Sequence, residues 1–277
     1  AFQQLSASLA GQIVPELRET LLSQYCTRLI AAKQFAEIVR VLGAPLATGQ
    51  GGLTASLHFM LGLANLELGR FPAAAEQMQS CLAKRRQRSL SPIHQDITTA
   101  APHHCLAQCL ARMGNVAAAE KAFQDGLKET GHTDRLRLDY ARFLSEHDRP
   151  VEALQHLHEF VGQNAQDHAA WRLGGQIALS RPEFLEFARD WTGEAIRYLP
   201  DNPVIMAQRA ELLLLSQETA AALELWQRVW RSERQPRALA ALVLCEVAAG
   251  TPSHGAWNIE DPAAANRAFV EWYRQCI

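Results

Sequence analysis

Apolar residues recur along most of the chain at spacings of three and four, which is the period of one face of an amphipathic helix. Alanine, leucine, glutamine, glutamate and arginine are frequent, whereas runs of β-branched residues are rare. No Asn-Gly or Asp-Gly turn stands between segments of alternating apolar and polar residues, as a β-hairpin would require. The pattern therefore predicts an all-α protein.

A small residue that begins the second helix of each predicted helix pair recurs in a regular rhythm. Successive steps between these residues are 45, 34, 35, 34 and 43 positions, so a period near 34 is interrupted by two insertions. The small residues are Ala74, Ala119, Ala153, Ala188, Ala222 and Ala265. Four positions after each stands a larger residue, namely Met78, Phe123, Leu157, Thr192, Trp226 and Phe269. Thr192 is the polar exception, and its neighbour Trp191 is an alternative occupant of that position.

Helix-breaking residues such as Gly69 and Gly114 separate the two helices of each predicted pair. The pairs are predicted near residues 16–47, 55–85, 100–130, 134–164, 168–200, 203–235 and 237–277, after a leading helix over 1–13. Neither helix of a pair can bury its apolar stripe alone, so the pairs are expected to stack on one another. The sequence thus predicts one solenoid domain that covers residues 1–277.

The segment over residues 56–84 reads SLHFMLGLANLELGRFPAAAEQMQSCLAK and resembles the tetratricopeptide repeat, or TPR. The resemblance rests on residue types and offsets at Leu61, Gly62, Gly69, Phe71, Ala74, Met78 and Cys81. It implies an α-α superhelix, that is, a TPR-like solenoid of about seven helix-turn-helix pairs. It also implies that the first helix of each pair lines a concave groove in which ligand peptides lie.

Mapped onto this pattern, a set of polar side chains is expected to face the groove. The candidate partner-binding residues are His104, Gln108, Arg112, Arg135, Asp139, Arg142, Arg172, Gln176, Gln208 and Glu211. Arg135, Arg142 and Arg172 would lie close together, and guanidinium groups suit carboxylate or phosphate groups. One interpretation is a pocket for an acidic peptide or a C-terminal carboxylate. The other is a solvated surface in which the arginines pair with Asp139 and Glu146.

Composition narrows the function classes further. The 277 residues carry a formal net charge of −2, which argues against a nucleic-acid-binding protein. No apolar run approaches the roughly 18 residues of a membrane span, so membrane insertion is not expected. The six cysteines form no Cys-x-x-Cys pair, which favours free thiols and a cytoplasmic location. The first residue, Ala1, is not methionine, which suggests a piece of a longer or processed protein.

One cluster of residues has the composition of a zinc site. His103, His104, Cys105 and Cys109 lie within one predicted helix, and imidazole with thiolate suits zinc. These positions coincide with packing positions of the repeat, however, and no second ligand pair at zinc-finger spacing exists. No phosphate-binding loop, zinc-protease motif or nucleophile elbow is present either. We therefore expect no catalytic residue, no metal and no cofactor.

Two insertions interrupt the repeat. The first, over residues 85–99, begins with a basic cluster and is either an exposed loop that contacts a partner or a helix end that packs over the core. The second, over residues 251–262, contains Trp257 and either caps the end of the stack or presents a contact site.

The leading functional hypothesis is a non-enzymatic scaffold that binds a peptide or protein partner. Residues 179–184 and 191–195, which read LSRPEF and WTGEA, resemble TPR regions attached to bacterial family-2 glycosyltransferases. That resemblance implies the alternative of an accessory region of a larger bacterial enzyme, whose catalytic chemistry would lie outside this chain. A third interpretation is self-association through apolar faces at the ends of the stack.

Overall fold

The computed structural model describes residues 15–43, 52–86, 95–129 and 133–248. This part of the chain forms thirteen α-helices and contains no strand. The helices are α1 (Pro15–Ala31), α2 (Phe35–Leu42), α3 (Ala55–Glu67), α4 (Phe71–Lys84), α5 (Ala101–Arg112), α6 (Val116–Leu127), α7 (Asp134–Glu146), α8 (Pro150–Gln163), α9 (His168–Leu179), α10 (Leu185–Tyr198), α11 (Pro203–Leu215), α12 (Thr219–Ser232) and α13 (Pro236–Ala248). Short 3-10 turns occupy Gln95–Thr98 and Pro182–Phe184. The predicted leading helix over 1–13, the insertion over 251–262 with Trp257, and the positions Ala265 and Phe269 lie outside the described residues.

Consecutive helices form pairs, which confirms the predicted all-α solenoid class. Helices α1 to α12 make six described pairs, and α13 is the first helix of the predicted seventh pair. Contacts group the chain into two compact units, Ala1–Tyr140 and Ala141–Ile277, with the boundary inside α7. The single domain over 1–277 stays a prediction.

The predicted rhythm of small and large residues coincides with the centre of the core. All five described small residues of the rhythm are 0% exposed: Ala74, Ala119, Ala153, Ala188 and Ala222. The large residues four positions later are at most 2% exposed: Met78, Phe123, Leu157, Thr192 and Trp226. Thr192 and Trp191 are both buried, and the Thr192 hydroxyl donates to the Ala188 carbonyl at 2.7 Å. A threonine fits this core position because its polar group is satisfied within its own helix.

Five of the turns inside helix pairs end the first helix in the same way. A residue with φ between 55° and 75° follows each of these helices, at Lys33, Gly69, Gly114, Asp148 and Gln217. The left-handed residue donates its N–H to the carbonyl three residues earlier, and the next residue donates to the carbonyl five residues before it, as Gly69 and Arg70 do. This is the Schellman arrangement, which satisfies carbonyls at the helix end. Glycine adopts it freely, whereas Lys33, Asp148 and Gln217 adopt it under conformational strain.

In the first unit, α1, α2 and α3 share one apolar core. Its buried members are Leu22, Cys26, Leu29, Ile38, Leu42, Leu53, Leu57, Met60, Leu61 and Ala64. Between α3 and α4, Gly62 gives room to the Met78 side chain, because a Cβ at Gly62 would lie 2.8 Å from the Met78 methyl carbon. At the end of this unit the Phe123 ring stacks on Tyr140 with centroids 5.3 Å apart.

In the second unit, tryptophans fill the core. The ring centroids of Trp171 and Trp191 lie 4.7 Å apart, and the Trp191 indole N–H donates to the Trp171 carbonyl at 2.9 Å. Gly174 makes this packing possible, since a Cβ there would lie 2.2 Å from Trp191 Cζ2. The neighbouring glycine serves another contact: Gly174 faces the paired helix α10, whereas Gly175 faces Gln208 of the following pair.

Candidate partner-binding surface

Three of the predicted groove residues of the first unit bind one another. His104 Nε2 lies 2.8 Å from Asp139 Oδ2, and the Gln108 amide donates to the same carboxylate oxygen at 3.1 Å. Gln108 Nε2 also lies 3.1 Å from His104 Nε2. The His104 and Asp139 side chains are only 13% and 18% exposed. This cluster joins α5 to α7, so its polar groups are largely used within the protein.

Arg112 and Arg135 of the same unit remain exposed. Within the described residues neither guanidinium group takes part in a hydrogen bond or an ion pair with a carboxylate. Asp139 binds His104 and Gln108. Of the arginines whose pairing with Asp139 the sequence left open, Arg135 does not form that pair. The donors of Arg112 and Arg135 are available to a partner.

In the second unit, Arg142, Arg172 and Gln176 are exposed. Arg172 and Gln176 stand four positions apart on α9 and therefore share one face of that helix. Neither side chain has a hydrogen-bond or ion-pair partner in the described part of the unit. The unit thus presents a guanidinium group and an amide side by side, both with unused hydrogen-bonding capacity.

Gln208 was predicted to face the groove, but it is only 6% exposed. Its amide lies against Gly175, where a Cβ would come within 2.5 Å of the amide oxygen, and it donates to the Arg172 carbonyl at 2.8 Å. The absence of a side chain at Gly175 lets the amide sit beneath α9. Gln208 is therefore a structural contact between first helices, and direct partner binding by this residue stays a prediction.

Glu211, the last predicted groove residue, forms an ion pair with Arg237 of α13. The Glu211 side chain is 18% exposed and that of Arg237 is 51% exposed. The sequence did not predict the ion pair with Arg237, because the repeat pattern does not indicate which residue of the next helix pair will contact an acidic side chain. The pair leaves an exposed guanidinium group on the surface near Glu211.

The first residue of the first insertion, Arg85, has a buried side chain. The Arg85 side chain is 8% exposed, forms an ion pair with Glu129 and donates to the carbonyls of Ile97 and Thr99 at 3.4 and 3.3 Å. Burial, together with the neighbouring Arg85 charge, lowers the pKa of His103, which lies 3.4 Å from Arg85 Nη2. Arg85 therefore agrees with the interpretation in which the helix end packs over the core. Residues 87–94 lie outside the described part.

The histidines and cysteines considered as zinc ligands have separate roles. His103 contacts Arg85 and Glu129, His104 binds Asp139, and Cys109 is completely buried. Burial raises the pKa of Cys105 to about 12 and that of Cys109 to about 11. Because cysteine binds zinc as the thiolate, the raised pKa values of these two thiols oppose metal binding. Within the described residues no group of three or more potential metal ligands occurs.

The raised thiol pKa values predict slow alkylation. In a Cys276→Ser background, which removes the cysteine outside the described residues, iodoacetamide at neutral pH should label the native protein slowly and the urea-unfolded protein rapidly, because burial keeps the thiols protonated and shielded. Mass spectrometry of tryptic peptides reports each site. Rapid labelling of Cys109 in the native protein would contradict its burial.

A cavity that sequence analysis missed lies beside the turn between α1 and α2. Its volume is about 480 Å³, and it is lined by Tyr25, Lys33, Gln34, Phe35, Ala36, Glu37 and Leu68. The Lys33 side chain is exposed, and Leu68 is 38% exposed. No repeat position signals this cavity, because it arises where one helix turn lies beside the end of the next pair's first helix.

Among the described residues, no helix has both the length and the apolar character that a membrane span requires.

Comparison with known proteins relates the fold to solved structures. No protein-family model matches the chain, and no curated protein matches it. The C-terminal part of a TPR repeat-containing protein from Cytophaga hutchinsonii matches with a TM-score of 0.66 at 12% identity, over 92% of this chain and 93% of that one. A tetratricopeptide repeat protein from Parabacteroides merdae matches with a TM-score of 0.58 at 14% identity, over 94% and 92% of the two chains.

A third structure, PilF of Pseudomonas aeruginosa, matches with a TM-score of 0.53 at 19% identity, over 79% of this chain and 90% of that one. Identities this low establish the architecture and leave ligand and activity open. The chain therefore has the fold of tetratricopeptide repeat proteins.

Proposed function

We propose that this protein is a non-catalytic scaffold that binds peptide or protein segments through exposed faces of its first helices. The observation that carries the proposal is the set of exposed guanidinium groups on those helices, at Arg112, Arg135 and Arg172, which no described carboxylate neutralises. Arginine forks bind carboxylates in a bidentate manner, so an acidic segment or a C-terminal carboxylate is the complementary ligand.

The surrounding contacts support the same proposal. The His104–Asp139–Gln108 cluster joins α5 to α7 and the Gln208 contact joins α9 to α11, so both hold first helices together. Rigid support of this kind limits the entropy lost when a ligand binds. Free cysteines throughout the described residues are consistent with a reducing compartment such as the cytoplasm.

We do not propose an accessory role in a larger enzyme such as a family-2 glycosyltransferase, because no contact and no structural likeness is specific to it. Self-association through the ends of the stack stays a prediction, which sedimentation at increasing protein concentration would test.

The proposal is tested by removing the exposed positive charge of the first helices. The triple variant Arg112→Ala, Arg135→Ala and Arg172→Ala should bind short acidic peptides at least about tenfold more weakly than the wild type, since charge-assisted contacts are lost. An array of synthetic peptides with two or more acidic residues, with free or amidated C-termini, identifies the ligands. Fluorescence anisotropy then measures their affinity.

A matched control removes three exposed cations from second helices, as Lys121→Ala, Arg197→Ala and Arg231→Ala. Both triple variants change the net charge by the same amount, so a general electrostatic effect would weaken peptide binding equally in the two. Equal affinities of the first-helix variant and the wild type would discard the proposed surface.

A further inference from the structure

We propose that the cavity beside the α1–α2 turn binds an apolar side chain of an acidic protein segment. This site is distinct from the surface of the proposed function and includes none of the arginines that carry it, Arg112, Arg135 and Arg172. The cavity of about 480 Å³ lies within the range of roughly 300–1,000 Å³ that is typical of ligand pockets. That volume accommodates one aromatic or branched side chain.

The walls of the cavity are largely apolar. Tyr25 and Phe35 are half-buried and pack against the core of the first unit, so they form a fixed wall. Leu68 stands at the end of α3 with 38% of its surface exposed, so it adds accessible apolar surface to the cavity. An apolar side chain that fills the cavity would remove these surfaces from water and gain the corresponding hydrophobic stabilisation.

The charges around the cavity favour an acidic partner. The Glu37 carboxylate accepts hydrogen bonds from the Arg40 guanidinium, and this contact lowers the pKa of Glu37, so its charge is compensated. Glu67 and Arg70, which flank Leu68 along the chain, carry opposite formal charges and add no net charge. The exposed Lys33 ammonium, in contrast, has no hydrogen-bond or ion-pair partner in the described part of the first unit. The uncompensated charge at the rim is therefore positive.

The backbone conformation of Lys33 fixes where its side chain begins. Lys33 adopts φ 55° in the left-handed position of its turn, where the next two pairs place Gly69 and Gly114. A lysine is strained in this conformation, as are Asp148 and Gln217 at the same position of their turns. In the second unit, the carboxylate of the strained Asp148 forms an ion pair with the Arg181 guanidinium group at 2.6 Å. The Lys33 ammonium group forms no such ion pair within the described part of the first unit.

The test uses a fluorescent peptide in which one tryptophan stands between two pairs of glutamates, with both ends blocked. Control peptides replace the tryptophan by alanine or all glutamates by lysines. The wild-type protein should bind the acidic tryptophan peptide saturably and both controls at least about tenfold more weakly. On binding, backbone amide resonances of residues 33–37 and 68–70 should shift in nuclear magnetic resonance spectra of the isotope-labelled protein.

Variants at Lys33 separate binding from folding. Lys33→Gly removes the ammonium group and relieves the strained backbone, so it should unfold at an equal or higher urea concentration and yet bind the peptide about tenfold more weakly. Lys33→Arg should retain the affinity within about twofold, because the charge is kept. Gln217→Gly relieves the same strain in the second unit and should leave peptide affinity unchanged.

Several results would overturn the proposal. Equal affinity of Lys33→Gly and the wild type would remove the charge argument, and equal binding of the acidic and lysine peptides would do the same. Resonance shifts confined to α5, α7 and α9 would assign the peptide to the first-helix faces instead. Binding to phosphatidylserine vesicles without binding to the peptide would identify a lipid surface as the occupant and reject a protein segment.

Discussion

Replacement of Trp226 by alanine is expected to lower the free energy of unfolding by about 3–5 kcal/mol, the range for truncation of a large buried aromatic residue. Trp226 is 1% exposed and lies at the centre of the apolar core that α11, α12 and α13 share. Its neighbours in this core come from three helices, so the surrounding side chains cannot all collapse into the cavity that alanine leaves. Urea unfolding followed by far-ultraviolet circular dichroism measures the loss.

A second substitution at the same position isolates packing from hydrogen bonding. The Trp226 indole nitrogen is buried and has no hydrogen-bond partner in the described structure. Trp226→Phe therefore breaks no hydrogen bond and should cost only about 1–2 kcal/mol, through lost volume. If both variants unfolded at the wild-type urea concentration, Trp226 would not belong to the core, and the stacking of α12 on its neighbours would have to be reconsidered.

Addition of a single methyl group at Gly174 is expected to destabilise the second unit by about 3 kcal/mol, at the upper end of the usual range for overpacking. A Cβ at this position would lie 2.2 and 2.4 Å from two ring carbons of Trp191. The Trp191 ring cannot move away easily, because it contacts Trp171 and its indole N–H is bound to the Trp171 carbonyl. The clash should therefore outweigh the better helix propensity of alanine.

Gly162 supplies the matched control for this prediction. It also lies within a helix, near the end of α8, but no heavy atom comes within 4 Å of the position that its Cβ would occupy. Gly162→Ala should therefore leave the free energy of unfolding unchanged or raise it by up to about 1 kcal/mol through helix propensity. Equal thermal midpoints for the Gly174 and Gly162 variants would contradict the close approach of α9 and α10.

The functional surface could be predicted only in part. The helix face that carries Arg112, Arg135, Arg172 and Gln176 follows from spacing along single helices, and these residues are indeed exposed. The fate of Gln208 does not follow from spacing, because it depends on a glycine 33 positions earlier on another helix. A polar residue beside a neighbouring helix is exposed or buried according to the space that this helix leaves.

The cavity beside Lys33 could not be predicted from the sequence. Lys33 occupies a position at which only two of the five turns have glycine, so its left-handed conformation can be inferred only after the turn is known to be of the Schellman type. The contribution of Leu68 to the same cavity depends on how two turns lie beside each other. Arg85 illustrates the same limit, because its partner Glu129 is 44 residues away.

The sequence by itself determined the all-α class, the helix pairs and the core positions, because helix periodicity and the 34-residue rhythm are properties of neighbouring residues. Ala74, Ala119, Ala153, Ala188 and Ala222 were all identified in this way, and all are completely buried. Only the tertiary structure decided which polar side chains remain free to bind a partner, as Arg172 does, and which are used internally, as Gln208 is. That distinction depends on distances between residues on different helices, which no local pattern encodes.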